Sequence, residues 1–368
     1  MIEIHGKYGE AIVFTQLLEP SAEKQIRTFC DRPQSENSKI RIMPDVHTGK
    51  GCVIGLTMTI TDQVIPNLVG VDIGCGMLTV KLKEKRLNFP ELDSVIRANI
   101  PYGRNVRERP HRSYGRLDIQ KLCCFKKIDT RRALESLGSL GGGNHFIEVD
   151  TDGESLYLVI HTGSRNPGLR VAEYYQKIGY KECGGRTQTK IPYELAYLTG
   201  NAMQEYLHDM EIMQKFADLN RTIIKEEILD RLHLTEESSF TTIHNYIDME
   251  QMILRKGAVS AKEGERLLIP MNMRDGSLIC TGLGNSDWNC SAPHGAGRRL
   301  SRKETMNNYT LHDFKESMKG IYTSSVSKNT IDECPMAYKP MDEILENVRD
   351  TVQINQIIKP VYNFKASD

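Results

Sequence analysis

The chain has 368 residues, 39% hydrophobic and 26% charged, enough to build a sizeable core in the manner of soluble globular proteins. Its 48 Lys and Arg balance 48 Asp and Glu, which excludes a protein that coats nucleic acid through bulk charge. Nine irregularly spaced cysteines without a CxxC pair exclude a disulfide scaffold or zinc ribbon, and no apolar run is long enough to cross a bilayer, so a soluble cytoplasmic protein is expected.

The first eighty or so residues read as short strands and turns, with Val53 to Ile60 the clearest strand. A turn follows at Val71-Asp72-Ile73-Gly74-Cys75-Gly76, where two intervening residues, one of them glycine, allow Asp72 and Cys75 to aim at one point. From 102 to 132 ten basic side chains, Arg104 to Arg132, are interrupted only by Glu108, Asp118 and Asp129 and interleaved with Tyr102, Tyr114 and Phe125. This stretch is either a solvated excursion or a contact to nucleic-acid backbone. Gly141-Gly142-Gly143 then precedes Asn144-His145, letting backbone approach a ligand closely.

The apolar run Leu156 to Ile160 predicts a buried strand that delivers His161 at its end. Apolar residues at three- and four-residue steps predict a helix over about 192–232, its stripe including Asn220 and packing into the core. His244 opens His244-Asn245-Tyr246, strands are expected near 267–269 and 278–280, and the tail from 341 to about 358 reads as a helix stopped by Pro360. Without a regular βαβ alternation the pattern favours α+β: one large domain over 1–368, with mixed sheets flanked by helices around a central metal cleft.

One thiol, one carboxylate and three imidazoles (Cys75, Asp72, His145, His161 and His244) make a full set of metal ligands beside glycines and at the ends of apolar runs. Thiolate and imidazole suit zinc, whereas a carboxylate with open positions also admits manganese, and the residues alone do not choose. His294 differs. It opens His294-Gly295-Ala296-Gly297-Arg298, and in a helix His294, Arg298 and Arg302 would share a face, a grouping suited to phosphate, as are Arg165 and Lys256. The pattern GxxxxGK[ST] is absent around Thr48-Gly49-Lys50-Gly51, Gly282-Leu283-Gly284 is not a dinucleotide fingerprint, and there is no GxSxG element.

Eight blocks in order resemble the RtcB family of RNA ligases: Met43 to His47, Asp72/Cys75, Gly143 to Glu148, His161 to Arg165, Asn220-Arg221, His244 to Tyr246, Arg255 to Ala258, and His294 to Arg302. The resemblance implies joining of an RNA 3′-phosphate or 2′,3′-cyclic phosphate end to a 5′-hydroxyl end with GTP and two Mn²⁺ ions. Asp72, Cys75 and His145 would hold one ion, and Cys75, His161 and His244 the other. His294 would carry GMP. Asn144, Arg165, Lys256, Arg298 and Arg302 would grip phosphates, Glu148 and Lys365 would read guanine, and Tyr338 would stack near it. Two departures stand out: Met271-Asn272-Met273-Arg274 replaces the family's Gly-Ser-Met-Gly, and Ala366-Ser367-Asp368 extend past Lys365. The alternatives are a binuclear metal phosphodiesterase that opens cyclic phosphates without ligating, which would need no GTP, and a non-catalytic RNA-binding subunit, which would need none of these ligands.

Overall fold

The computed structural model describes residues 1–185 and 191–366. Two curled sheets carry the fold. The first has strand order Ile2–His5, Glu10–Val13, Ile40–His47, Ile54–Thr59, Ile253–Lys256, Asn245–Asp248. The second runs Glu236–Ile243, Gly76–Leu82, Leu156–Thr162, Phe146–Thr151, Val352–Lys365, Gly276–Gly282, Arg266–Asn272, with Tyr322–Thr323 attached to Val352–Lys365. Neighbours are antiparallel except Glu10–Val13 with Ile40–His47 and Tyr322–Thr323 with Val352–Lys365. The fold is α+β, not doubly wound.

Leu156–Thr162 is buried along its whole length, as a central strand covered on both faces must be. The helix Gly200–Leu232 spans beneath both sheets. Its first half contributes Met203, Tyr206, Met210 and Phe216 to the core under the first sheet. Its second half contributes Ile224, Ile228 and Leu229 to the core under the second, where the helix Phe89–Asn99 also packs.

Three local expectations change. The long helix begins at Gly200 rather than near 192, because Leu198–Thr199 pairs with Gln63–Val64 instead of joining it. The tail is a helix only over Met341–Asn347, and Val352–Lys365 is a strand. There Val352 and Ile358 are buried while Gln353, Asn355, Ile357 and Lys359 are exposed, an alternation of period two. Pro360 is tolerated because the register shifts between it and Tyr362. Finally, His294 to Arg302 is not helical. Ser291–Pro293 is a strand, Gly297 adopts φ 74° with Asp45 packed where a Cβ would be, and the helix starts at Arg302, capped by Ser301.

Candidate active site

Strand register gathers the ligands. Cys75 immediately precedes Gly76–Leu82, whose Gly76 pairs with Thr162 on one side and Ile243 on the other. Phe146 pairs with His161. Cys75, His145, His161 and His244 therefore emerge at the same end of four adjacent antiparallel strands. His244 is also the single residue between Glu236–Ile243 of the second sheet and Asn245–Asp248 of the first. Asp72 reaches the group through a tight turn, with the Cys75 N–H donating to the Asp72 carbonyl at 3.2 Å and Gly74 at φ 69°. Asp72 lies against Gly163, where any side chain would collide with its carboxylate.

Cys75 Sγ is 3.4 Å from His145 Nε2 and 3.4 Å from His161 Nε2, and His145 Nε2 is 3.0 Å from Asp72 Oδ2. The His161 and His244 rings are 5.2 Å apart. Two donor groups result, Asp72/Cys75/His145 and Cys75/His161/His244, each with its ligand atoms within 4.8 Å of one another and both using Cys75. The ring nitrogens facing away are held by carbonyls: His145 Nδ1 lies 3.0 Å from Leu140 O, and His161 Nδ1 lies 3.1 Å from Asn144 O. At His161 this outer hydrogen bond fixes the tautomer that leaves Nε2 free to coordinate, whereas His145 Nδ1 also faces the Arg165 guanidinium and its Nε2 faces Asp72.

Burial holds the His145, His161 and His244 imidazoles below their ordinary range, most strongly His161 and His244, so they are neutral as coordination requires. Burial would raise the Asp72 carboxyl, but the His145 hydrogen bond and the Arg165 charge bring it down to about 2. Burial, with the Asp72 charge, pushes the Cys75 thiol well up. A cation reverses that preference by coordinating the thiolate. Asp72 Oδ1 and His244 Nδ1 are buried without a hydrogen-bond partner among the described residues. Sulfur, imidazole and carboxylate donors with unsatisfied buried atoms among them fit metal binding at this cluster.

The long helix clamps this arrangement. Asn220 accepts from the N–H groups of Gly138 and Ser139 through Oδ1 and donates to Gly163 O through Nδ2. Arg221, fully buried, donates to Gly74 O and Thr162 O, both at 2.9 Å. Asn220 lies in the core stripe as expected, but its amide secures the loops that carry the ligands.

His161 and His244 line a cavity of about 640 Å³ that His294 also enters. The His294 and His244 rings are 5.0 Å apart. His294 Nδ1 lies 2.6 Å from Oδ2 of the fully buried Asp45, which also accepts from the His294 N–H. Nδ1–H therefore donates to Asp45, and Nε2 keeps its lone pair. Asp45 belongs to the block Met43 to His47, but its task is readable only once the fold brings positions 45 and 294 together.

The cavity lining also includes Asn144, Glu148, Met271 to Met273, Arg298, Arg302, Tyr338 and Lys365. The substituted Met271-Asn272-Met273 segment thus faces the cavity. Asn363 donates to Glu148, whose carboxyl is raised by burial. Four groups converge on the buried Glu333: Lys365 Nζ at 2.6 Å, Tyr338 OH at 2.6 Å, Arg302 at 2.8 Å and Arg298 at 3.3 Å. Burial opposes ionisation of Glu333, but Lys365 and Arg302 bring its carboxyl down to about 2. Arg302 also pairs with Asp332, and Arg298 lies over the Tyr338 ring.

Two residues expected to meet phosphate do not line this cavity. Lys256 Nζ donates to Lys50 O at 3.1 Å and Asn67 O at 2.8 Å, and burial lowers its ammonium to about 8. Arg165 lies 2.9 Å from His145 Nδ1 and 3.9 Å from Asp72, behind the ligands rather than on the cavity wall. Of the residues following Lys365, Ala366 is buried, while Ser367 and Asp368 lie outside the described residues.

The chain is similar along nearly its whole length to known proteins. The RtcB family model, described as tRNA-splicing ligase RtcB, matches residues 25–123 and 111–366. RNA-splicing ligase RtcB of Escherichia coli K12 is 32% identical over 370 residues, covering 89% of this chain and 90% of the relative. The tRNA-splicing ligase RtcB of Aeropyrum pernix is 28% identical, covering 86% and 85%, and that of Methanococcus maripaludis 25% identical, covering 94% and 90%. With the family model spanning most of its length, this chain belongs to the RtcB family.

Proposed function

We propose that the protein is an RNA ligase that joins 3′-phosphate or 2′,3′-cyclic phosphate ends to 5′-hydroxyl ends, using GTP and two Mn²⁺ ions, in RNA repair or tRNA splicing. It would act in the cytoplasm as one catalytic unit over residues 1–368. The observation that carries this reading is His294: an imidazole fixed by a buried carboxylate, with a free lone pair, in the same cavity as His161 and His244. Its relatives' names, RNA-splicing and tRNA-splicing ligase, support the same reading.

The His294 Nε2 lone pair attacks the α-phosphorus of GTP, forming an N–P bond as the bond to the bridging oxygen breaks and pyrophosphate leaves. Nδ1–H stays on the ring, and Asp45 stabilises the charge that develops there. Ions held by Asp72, Cys75, His145, His161 and His244 would supply Lewis-acid polarisation of phosphoryl oxygens and a water able to open a cyclic phosphate. GMP passes to the RNA 3′-phosphate, giving a 3′-pp-5′-G end, and the 5′-hydroxyl displaces it. Asn144, Arg298 and Arg302 would meet phosphate, Glu148 and Lys365 the guanine edge, and Tyr338 would lie beside it; all six line the cavity.

A phosphodiesterase that never ligates has no use for an imidazole held as a nucleophile by Asp45, so that alternative is not favoured. Incubation with α-labelled GTP and Mn²⁺ tests the reading. Wild type should acquire an acid-labile, base-stable label, and His294→Ala should acquire none. No label on wild type, or an undiminished label on His294→Ala, would overturn it.

A further inference from the structure

A second cavity, about 870 Å³, lies outside the active site, bounded by residues 97–112 and the end of the long helix at Glu227 to Arg231. It takes in the start of the basic excursion. The charges there divide into two kinds. Arg97 pairs with Asp93, Arg231 and His111 both use Glu227, and Arg107 donates to the carbonyls of Leu137 and Gly138. These groups are structural. Arg109 and Arg112 are exposed, line the cavity and make no ion pair among the described residues. Glu108 and Asp230 are the opposing carboxylates on the rim, and they leave the lining with more cations than anions. Tyr114, two residues past Arg112, is 50% exposed and offers a ring face.

This cavity is joined to the active site by backbone hydrogen bonds. Leu140 N–H donates to Pro101 O at 2.8 Å, and Gly103 N–H to Gly141 O at 3.0 Å. The Leu140 carbonyl holds both His145 Nδ1 and the Thr162 hydroxyl. One residue, Leu140, therefore links the cavity wall to a metal ligand. On the other flank, Tyr102 and Arg97 both pack on Phe364, the neighbour of Lys365.

We propose that this groove is a docking track for the phosphodiester backbone of RNA, with Arg109 and Arg112 as its phosphate contacts. The assignment of RNA rests on the ligase reading. The placement rests on guanidiniums without ion pairs, an exposed ring and a groove that shares a wall with the catalytic loop. Guanidiniums bind phosphate in a bidentate manner at little reorganisation cost, and such contacts are read by their salt dependence.

The test measures binding of a labelled single-stranded RNA to the full-length protein by fluorescence anisotropy across a salt series. Arg109→Glu with Arg112→Glu should lower affinity at low salt by about tenfold or more and reduce the log K against log salt slope by about 1 to 2. GMP labelling of the same variant should stay at the wild-type level, which also reports that it has folded. Arg109→Gln with Arg112→Gln should give a smaller loss in the same direction. Lys83→Glu with Arg86→Glu, beyond the end of Gly76–Leu82 opposite to Cys75, should leave RNA binding unchanged. Wild-type affinity and slope in the Arg109/Arg112 variants would overturn the proposal. So would displacement of RNA by polyglutamate at equal charge with competition lost in the variant, which would assign the groove to an acidic protein. If wild type takes no GMP label while the variants still lose RNA affinity, the ligase reading fails and the groove stands.

Discussion

The two walls of the active-site cavity are held together by different means. The metal wall is set by backbone register: four ligands stand at the ends of neighbouring strands, and Asn220 and Arg221 fasten the loops behind them. Burial keeps its imidazoles neutral. The cationic part of the lining is set by side-chain charge. Arg298 and Tyr338, Arg302 at a helix start and Lys365 on the last strand meet on Glu333, and Asp332 also pairs with Arg302, so two carboxylates face three cations. The first group presents donors that an added cation would complete, whereas the second holds carboxylates among its own cations.

The sharpest test of this contrast is Cys75→Ala. It removes the one donor common to both groups, so the bound metal measured by mass spectrometry should fall towards none, and GMP labelling should be lost with it. A chelator should lower the melting temperature of wild type but not of this variant. Undiminished metal content would break the shared-sulfur arrangement.

Next in size is Glu333→Ala, which leaves Arg298 and the buried Lys365 without this counter-charge, with the half-exposed Arg302 beside them. Removing one member of a buried ion pair costs about 3–5 kcal/mol, and denaturant unfolding should show that loss with metal-binding stoichiometry intact. The acid limb carries the same signature. The folded carboxyl lies near 2, below its ordinary 4.5, so its contribution is fully present above about 4.5 and disappears as pH falls through 2. The acid-unfolding limb of Glu333→Gln should be correspondingly flatter over that window.

A smaller effect is expected from Asp45→Asn. The amide can hold the His294 ring but favours the other tautomer, or donates where an acceptor is needed. Guanylylation should slow by about 10²-fold, the scale of a misoriented reacting group, with GTP and metal binding unchanged. An unaltered single-turnover rate would show that Asp45 does not orient the nucleophile.

The same contrast explains what can be read from the sequence. The strand ending at His161 is legible because a fully apolar run of five residues stops there, and the glycines near Cys75 and His145 mark tight turns. The cationic wall is harder. Arg298 and Arg302 do belong together, but not through the helical spacing that groups them in sequence, which Gly295 and Gly297 forbid; a carboxylate at 333 is what unites them. Lys256 carries the same charge as Arg298, and nothing local distinguishes an ammonium spent on buried carbonyls from one facing a ligand. The tail misleads because Ile354, Ile357 and Ile358 satisfy a helical step as readily as an alternating one, and only pairing with Phe146–Thr151 and Gly276–Gly282 decides between them. Asp45 has no local signal, since its partner lies about 250 positions away.

His244 is the single residue between a strand of the second sheet and a strand of the first. Any change in the angle between the sheets must swing its imidazole relative to Cys75 and His161. A cation held there together with Cys75 and His161 would tie the two sheets to each other, as a pin ties the leaves of a hinge.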